Sequence, residues 1–251
     1  MNRSDLSIPL LVHAHYALDS EDLPFWLDLA QLTGDPILEL GCGTGRVLLW
    51  LAQAGYTLVG LDHDRAMLVF LQGKLSVGME ERIQLVQADL AAFHFGCRFP
   101  LILLPCNTLS TITGAARESL FACVAEHLFP GGMFAASIPN PLWLGSLPAQ
   151  GDEEVEETLI HPESGNPLQV SSSWERLAGL FRLSWHYDHL LPDGQVERMT
   201  METIHDLAPL EDYRAGLEDS GLALEAVYGD FDRSAYSVES PNLILLARRP
   251  G

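Results

Sequence analysis

Three glycines stand two positions apart in the stretch ILELGCGTGRV, which spans residues 37–47. An apolar run precedes them and a helix-like pattern follows, so the glycines occupy a turn between a strand and a helix. Glycine at such a turn lets a ligand press against the backbone, because any Cβ would collide with it. The pattern therefore points to a nucleotide-like ligand, and a tight turn without any ligand is the alternative.

Two acidic residues stand where such a ligand would need partners. Asp62 ends a predicted strand at 56–62, and Asp89 ends another at 83–89. Ligands of open α/β sheets bind at the carboxyl ends of the strands, where both carboxylates and the glycine turn would meet. An acid in the position of Asp62 accepts hydrogen bonds from ribose hydroxyls in dinucleotide-binding folds. Capping of the next helix is the alternative role for Asp62, and a plain turn residue is the alternative for Asp89.

The glycine pattern argues against two common phosphate sites. A dinucleotide fingerprint needs its third glycine where this chain has Arg46, and no Gly-Lys-Ser/Thr sequence of a P-loop is present. A ligand without a pyrophosphate needs neither of these features. A dehydrogenase is therefore disfavoured.

The elements that position these residues change character along the chain. Five strand patterns alternate with helical patterns, at 36–40, 56–62, 83–89, 100–105 and 133–138. This alternation predicts parallel βαβ units with helices on both faces of an α/β domain. Four consecutive runs of alternating residues then span 150–206, which predicts an antiparallel sheet. We predict one cofactor-binding domain from 1–140 and 207–251, with a β insertion over 141–206 that covers the substrate pocket.

Four stretches resemble, in order, the motifs of class I S-adenosylmethionine-dependent methyltransferases: ELGCGTG, GLDHDRAML, VQADL and LFPGGMF. The likeness extends over most of the chain and is nearest to small-molecule N-methyltransferases with a β insertion after the fifth strand. It implies a Rossmann-like sheet of seven strands in the order 3-2-1-4-5-7-6, the last strand antiparallel. It also implies an enzyme whose cofactor is S-adenosyl-L-methionine.

The resemblance assigns roles to individual residues. The glycine loop would hold the methionine part of the cofactor with support from Glu39, and Asp62 would take the ribose hydroxyls. Asp89 and the amide of Leu90 would bind the adenine. From its residue type alone, Cys42 is predicted to be a small filler within the loop, although the resemblance includes it in the cofactor site. The full set of implied cofactor-binding residues is Glu39, Gly41, Cys42, Gly43, Asp62, His63, Met67, Asp89, Leu90 and Pro105.

The net charge and the absence of one sequence signature restrict the classes of molecule that can accept the methyl group. The formal net charge is -20 and Lys74 is the single lysine, which argues against nucleic acid and anionic membranes as partners. The Asn-Pro-Pro-Tyr type of signature for base amines is absent after the strand at 100–105, where the chain reads PCNTLSTI. We predict transfer to an amine nitrogen of a small metabolite. The alternatives are O-methylation of a small hydroxylated metabolite, and cofactor binding without transferase activity.

Candidates for the substrate pocket are Tyr16, near the start of the chain, and Asn107, after the fourth strand. A neutral amine needs no strong base, so we nominate no general base. The aromatic residues Trp174, Trp185 and Tyr187 are predicted to pack the small sheet, with a cation cage as the alternative. The insertion also carries four histidines, which are His161, His186, His189 and His205.

The cysteine spacing indicates whether the protein binds a metal, and the first residues indicate where in the cell it is found. The four cysteines have no metal-ligand spacing, which predicts reduced thiols and no metal site. The first residues contain acids and no long apolar run, so we predict no signal peptide and a cytoplasmic protein. The sequence does not indicate an oligomeric state.

Overall fold

The computed structural model of the chain describes residues 8–17 and 20–251. Residues 1–7 and 18–19, which belong to the predicted segment 1–140, lie outside the described residues. The strands are β1 Ile37–Leu40, β2 Leu58–Asp62, β3 Ile83–Gln87, β4 Phe99–Leu104, β5 Leu128–Pro139, β6 Gln150–Ile160, β7 Pro167–Leu177, β8 Leu180–Leu190, β9 Val196–Asp206, β10 Ala223–Tyr228 and β11 Asn242–Arg248. The helices are α1 Ile8–Tyr16, α2 Leu23–Thr33, α3 Arg46–Gln53, α4 Arg65–Gln72, α5 Gly114–His127, α6 Pro141–Ser146 and α7 Leu210–Asp219, and a 3₁₀ turn spans Thr108–Thr111.

The larger sheet has seven strands in the order β10-β11-β5-β4-β1-β2-β3. Strands β1 to β5 pair in parallel, whereas β11 runs antiparallel to both β5 and β10. When β10 and β11 are counted as the sixth and seventh strands of this sheet, the order is 3-2-1-4-5-7-6, and the predicted fold class is confirmed. All four residues of β1 are buried, as is typical of a parallel strand covered on both faces.

Two hydrophobic cores form on opposite faces of this sheet. Leu38 and Leu40 of β1 belong to one core, and Ile37 belongs to the other, because successive side chains of a strand point to opposite faces. Helix α4 begins after Asp64, whose side chain accepts a hydrogen bond from the amide of Ala66 at 2.7 Å. This cap fixes the direction of the chain as it leaves the end of β2.

The smaller sheet contains β6, β7, β8 and β9 as an antiparallel meander. It packs against the N-terminal helix through Leu11, which shares a buried cluster with Leu168, Val170 and Tyr187. The predicted antiparallel insertion is confirmed as an element of the fold. The domain boundaries at 140 and 207 stay a prediction.

The structure differs from the sequence-based prediction at four elements. Strand β5 begins at Leu128 instead of 133, because Phe99 pairs with Leu128 and Leu101 with Met133, with the intervening residues of β5 forming a bulge at Gly131. Helices α1 and α6 and the 3₁₀ turn were not predicted, and α6 lies in a stretch whose proline and glycine residues are typical of a loop. Across residues 8–17 and 20–251, no helix is both long and apolar enough to cross a bilayer.

Candidate active site

The three glycines of the loop between β1 and α3 have positive φ angles, and two of them face different surroundings. A Cβ added at Gly45 would lie 2.3 Å from a methyl carbon of Leu71, so this glycine lets α4 pack against the loop. A Cβ added at Gly43 would meet no atom of the described residues within 4 Å, and Gly43 lines a cavity. The loop thus keeps open space beside its backbone at Gly43, where a ligand can approach.

Asp62, at the end of β2, organises the same loop. Its carboxylate accepts hydrogen bonds from the amides of Gly43 and Asp64, each at 2.8 Å, and the residue is 7% exposed. The cap of α4 is Asp64, so the alternative role of Asp62 as that cap is wrong. Each carboxylate oxygen has a further lone pair, so Asp62 can still accept hydrogen bonds from ligand hydroxyls.

Arg46 stands where a dinucleotide fingerprint needs glycine, and its guanidinium is already engaged. It contacts both carboxylate oxygens of Asp22, at 2.5 and 2.6 Å, and the Sγ atom of Cys106 at 3.1 Å. Trp26 donates its indole N–H to the same carboxylate at 2.8 Å. The pair ties the start of α2 to the loop and to the end of β4, so it acts as a structural clamp.

A buried carboxyl group with one unpaired oxygen among the described residues lies behind the loop. Glu39 of β1 is 2% exposed, and its Oε2 atom has no hydrogen-bond partner among the described residues. Burial raises the pKa of Glu39 to about 8. A buried polar atom left unpaired is costly, so Glu39 is suited to meet a donor group of a ligand.

A cavity of about 450 Å³ opens at the carboxyl ends of β1 to β4, and we call it the strand-end cavity. One wall is the glycine loop with Asp62, and the opposite wall comes from the smaller sheet. The predicted site residues that line it are Tyr16, Gly41, Gly43, Asp62, His63, Met67, Leu90 and Asn107. The structure thus brings together eight of the twelve predicted cofactor and substrate residues around one space.

Four predicted residues do not line this cavity. Glu39 and Cys42 are buried behind the loop, and the Sγ atom of Cys42 fills space next to Gly60. Asp89 is exposed and accepts a hydrogen bond from the amide of Ala91 at 2.8 Å, as a turn residue does. Pro105 is buried after β4. The cofactor roles of these four residues stay predictions.

The opposite wall contains one of the four histidines of the insertion, which the sequence did not distinguish from the other three. His205 of β9 lines the cavity, is 6% exposed, and lies with its Nδ1 atom 2.8 Å from the hydroxyl of Ser110. That hydroxyl also lies 2.7 Å from the carbonyl of Asn107, and when it donates its one proton there, it accepts from Nδ1–H. In that arrangement the Nε2 atom of His205 is an unprotonated acceptor. Burial lowers the pKa of the ring to about 4.

The aromatic residues of the smaller sheet divide into two groups. Tyr187 is 1% exposed and packs in the cluster around Leu11, as predicted. Trp185 packs against the same cluster and also lines the strand-end cavity. Trp174 stacks with Phe181 and also lines an adjoining cavity. The predicted packing is therefore confirmed, and the two tryptophans have a cavity-lining face in addition.

Comparison with known proteins identifies the family. Residues 37–132 match the family described as a methyltransferase domain. The cypemycin N-terminal methyltransferase of a Streptomyces species is 31% identical over 219 residues, which cover 87% of this chain and 84% of that relative. The chain belongs to the class I S-adenosylmethionine-dependent methyltransferases.

Solved structures agree with this methyltransferase fold. An S-adenosylmethionine-dependent methyltransferase from Clostridium acetobutylicum aligns with a TM-score of 0.81 at 16% identity, covering 96% of this chain and 98% of that one. The sugar N-methyltransferase KedS8 from Streptoalloteichus aligns with a TM-score of 0.75 at 20% identity, covering 96% and 91%. The predicted family, enzyme class and fold are confirmed, and the dehydrogenase alternative is excluded.

The methyltransferase site fits the family's cofactor, S-adenosyl-L-methionine, in two observed respects. Gly43 leaves space that any side chain would fill, and Glu39 is a buried carboxyl group behind the same loop with one oxygen unpaired among the described residues. When bound, the cofactor supplies an electrophilic methyl group on a sulfonium. The chain's own contribution would then be to align a nucleophile with that group and to exclude water, and side chains of β8 and β9 line the cavity where these tasks are needed.

Proposed function

We propose that this methyltransferase transfers the methyl group to the amine nitrogen of a small metabolite. The observation that carries the proposal is the position of His205 in the cavity wall with its Nδ1 atom 2.8 Å from the hydroxyl of Ser110. When Nδ1–H donates to Ser110, the Nε2 lone pair is left for a ligand. This atom accepts a hydrogen bond from an acceptor N–H and thereby orients the nitrogen lone pair toward the methyl group.

The low basicity of His205 favours an amine over a hydroxyl. A hydroxyl acceptor needs a base that takes its proton as the methyl group arrives. Burial holds the pKa of His205 at about 4, which makes it a poor base at neutral pH. A neutral amine carries its own lone pair and loses its proton after transfer, so positioning is sufficient.

The names of two relatives and the charge of the chain support the same acceptor. One relative is an N-terminal methyltransferase and another is a sugar N-methyltransferase. The formal net charge of -20 attracts cationic amines and repels polyanions. As part of this proposal, we predict that the protein binds neither nucleic acid nor a membrane.

The test uses matched acceptor pairs, each an amine and the alcohol of the same carbon skeleton. Release of S-adenosylhomocysteine and the mass of the product are measured with each member of a pair. We expect methylated amines and unchanged alcohols. A panel in which alcohols are methylated and the matching amines are not would contradict the proposal.

Variants of two histidines separate positioning from proton transfer. We expect His205→Ala to lower kcat/KM for amines by less than about 100-fold, the scale of a lost general base. His186→Ala is the matched control, because His186 bonds to Ser173 and Thr200 within the smaller sheet. A larger loss in His205→Ala, with S-adenosylhomocysteine binding intact and alcohols as acceptors, would instead indicate O-methylation with His205 as base.

A further inference from the structure

A second cavity adjoins the strand-end cavity under the smaller sheet. Its volume is about 320 Å³, and it shares Asn107, Leu183, Trp185 and His205 with the strand-end cavity. We call it the tryptophan cavity, because its other walls include Trp143 of α6 and Trp174 of β7. Since His205 stands between the two spaces, an acceptor whose nitrogen meets His205 extends its remaining part into the tryptophan cavity.

The aromatic wall of this cavity is held by packing. Trp174 pairs with Gly151 across β6 and β7, and a Cβ on Gly151 would lie 2.3 Å from carbons of the indole ring. The indole therefore lies directly over the backbone of β6, where only glycine leaves room. On its other side it stacks with Phe181, with ring centroids 6.5 Å apart and planes 19° apart. These contacts fix the orientation of the ring as one wall of the cavity.

One polar group in this wall lacks a partner. The Nε1 atom of Trp174 is buried and makes no hydrogen bond within the part of the chain that the structure describes. An indole N–H is a donor only, and leaving it buried and unpaired costs free energy. A hydrogen-bond acceptor on a ligand would remove that cost.

The charged lining of the cavity disfavours phosphate. Glu156 lines it and accepts a hydrogen bond from Ser172, and no arginine or lysine is among its described lining residues. Arg46, which lines the strand-end cavity, is bound to Asp22 through two nitrogens. A diphosphate in the tryptophan cavity would meet a carboxylate and no guanidinium or ammonium group.

We propose that the tryptophan cavity binds the non-reacting body of the acceptor, and that this body is a planar apolar ring without phosphate that carries a hydrogen-bond acceptor for Trp174 Nε1. The inference rests on the proposed function, because it names the class of amine that the site takes. Flat rings stack well against the indole and benzyl walls. The carboxylate of Glu156 tolerates a cationic amine on its way to His205.

The test is titration calorimetry on the full chain saturated with S-adenosylhomocysteine. The probes are tyramine, 2-phenylethylamine and uridine diphosphate. We expect both amines to bind, and tyramine to bind about three- to tenfold more tightly, because its phenol oxygen accepts from the indole N–H. We expect no detectable binding of uridine diphosphate.

Three variants locate the effect. Trp174→Phe keeps an aromatic ring but removes the N–H, so both amines should bind with equal affinity. Gly151→Val displaces the indole, so both amines should bind at least about tenfold more weakly, while S-adenosylhomocysteine binding is retained. Trp50→Phe is the control, because Trp50 is an exposed residue of α3 outside both cavities, and it should change neither amine.

The outcomes separate this inference from the proposed function. Failure of S-adenosylhomocysteine itself to bind would overturn the proposed function and the inference with it. If it binds, the inference alone is contradicted by any of three results. These are no binding of either amine, tighter binding of uridine diphosphate than of tyramine, or a tyramine preference that survives in Trp174→Phe.

Discussion

Asp62 shapes the glycine loop, and we predict that the same side chain binds a ligand. Its two oxygens hold the amides of Gly43 and Asp64, which sets the course of the chain on both sides of the strand-end cavity. The remaining lone pairs are available to accept hydrogen bonds from ribose hydroxyls, which is the role that the family resemblance implies. Loss of the carboxylate should therefore weaken ligand binding both directly and through the loop.

We expect Asp62→Ala to lower the affinity for S-adenosylhomocysteine by about 1.5–3 kcal/mol, the scale of hydrogen bonds to a charged group. Titration calorimetry measures the loss. Asp28→Ala is the matched control, because Asp28 is half exposed on α2 and pairs with Arg233. A loss in Asp62→Ala no larger than that of the control would refute the ribose-binding role.

The raised pKa of Glu39 predicts that a proton is released when S-adenosylhomocysteine binds. Burial raises its pKa to about 8, so the carboxyl of the free protein is mostly protonated near pH 7. A ligand ammonium beside it stabilises the carboxylate and lowers that pKa, so binding must release a proton. Affinity for S-adenosylhomocysteine should therefore increase from pH 6 to pH 8 and level off above the pKa of the free protein.

Calorimetry in two buffers of different ionisation enthalpy measures this proton directly. We expect release of close to one proton near pH 7 in the native chain and none in Glu39→Gln. Equal proton release in the two proteins would show that Glu39 is not the group that ionises.

Sequence reasoning located the residues that its motifs place at strand ends, and missed those that depend on long-range pairing. Gly43, Asp62 and Leu90 each follow or end a strand, so the parallel order of the sheet brings them together. His205 reaches the cavity only because β9 packs beside the 3₁₀ turn, which joins it to a serine 95 residues earlier. No local pattern in the sequence encodes that contact.

The smaller sheet supplies part of the wall of the strand-end cavity. Strands β8 and β9 supply Leu183, Trp185, Thr203 and His205 to its wall. The sheet is anchored by the ion pair between Arg117 and Asp206, at 2.9 Å, beside the contact of His205 with the 3₁₀ turn. The glycine loop, Asp62 and Glu39 all belong to the larger sheet and its loops.

Replacement of residues 150–206 by a short Gly/Ser linker should therefore leave S-adenosylhomocysteine binding within about fivefold and abolish methyl transfer, because alignment and water exclusion are lost. Calorimetry and a release assay measure the two properties, and circular dichroism checks folding. A folded variant that still transfers methyl groups at the native rate would show that the sheet does not cover the acceptor pocket.

The element order was predictable because two periodicities alternate clearly in the chain. Buried strands between helical patterns indicated the parallel sheet, and period-two runs over 150–206 indicated β6 to β9. The bulge at the start of β5 was not predictable, because Pro130, Gly131 and Gly132 read as a helix end. The structure instead pairs Leu128 with Phe99 before the bulge, so tertiary pairing prevails over the local signal.

On the scale of the whole molecule, the formal net charge of -20 creates a field that attracts cations. We expect kcat/KM for a cationic amine to fall by about two- to tenfold when NaCl rises from roughly 20 to 300 mM, because salt screens this attraction. An acceptor without charge at the same pH is the control and should show little change. A salt response that is equal for the two acceptors would contradict long-range steering.

The central claim is that the site positions a neutral amine and does not itself remove its proton. The most direct measurement is the pH dependence of kcat/KM for a series of acceptor amines of different pKa. We predict that the rate rises with pH up to the pKa of each free amine, and that the break moves along the series with that pKa. A break that stays at one pH for every amine would assign the titration to a group of the protein and contradict the claim.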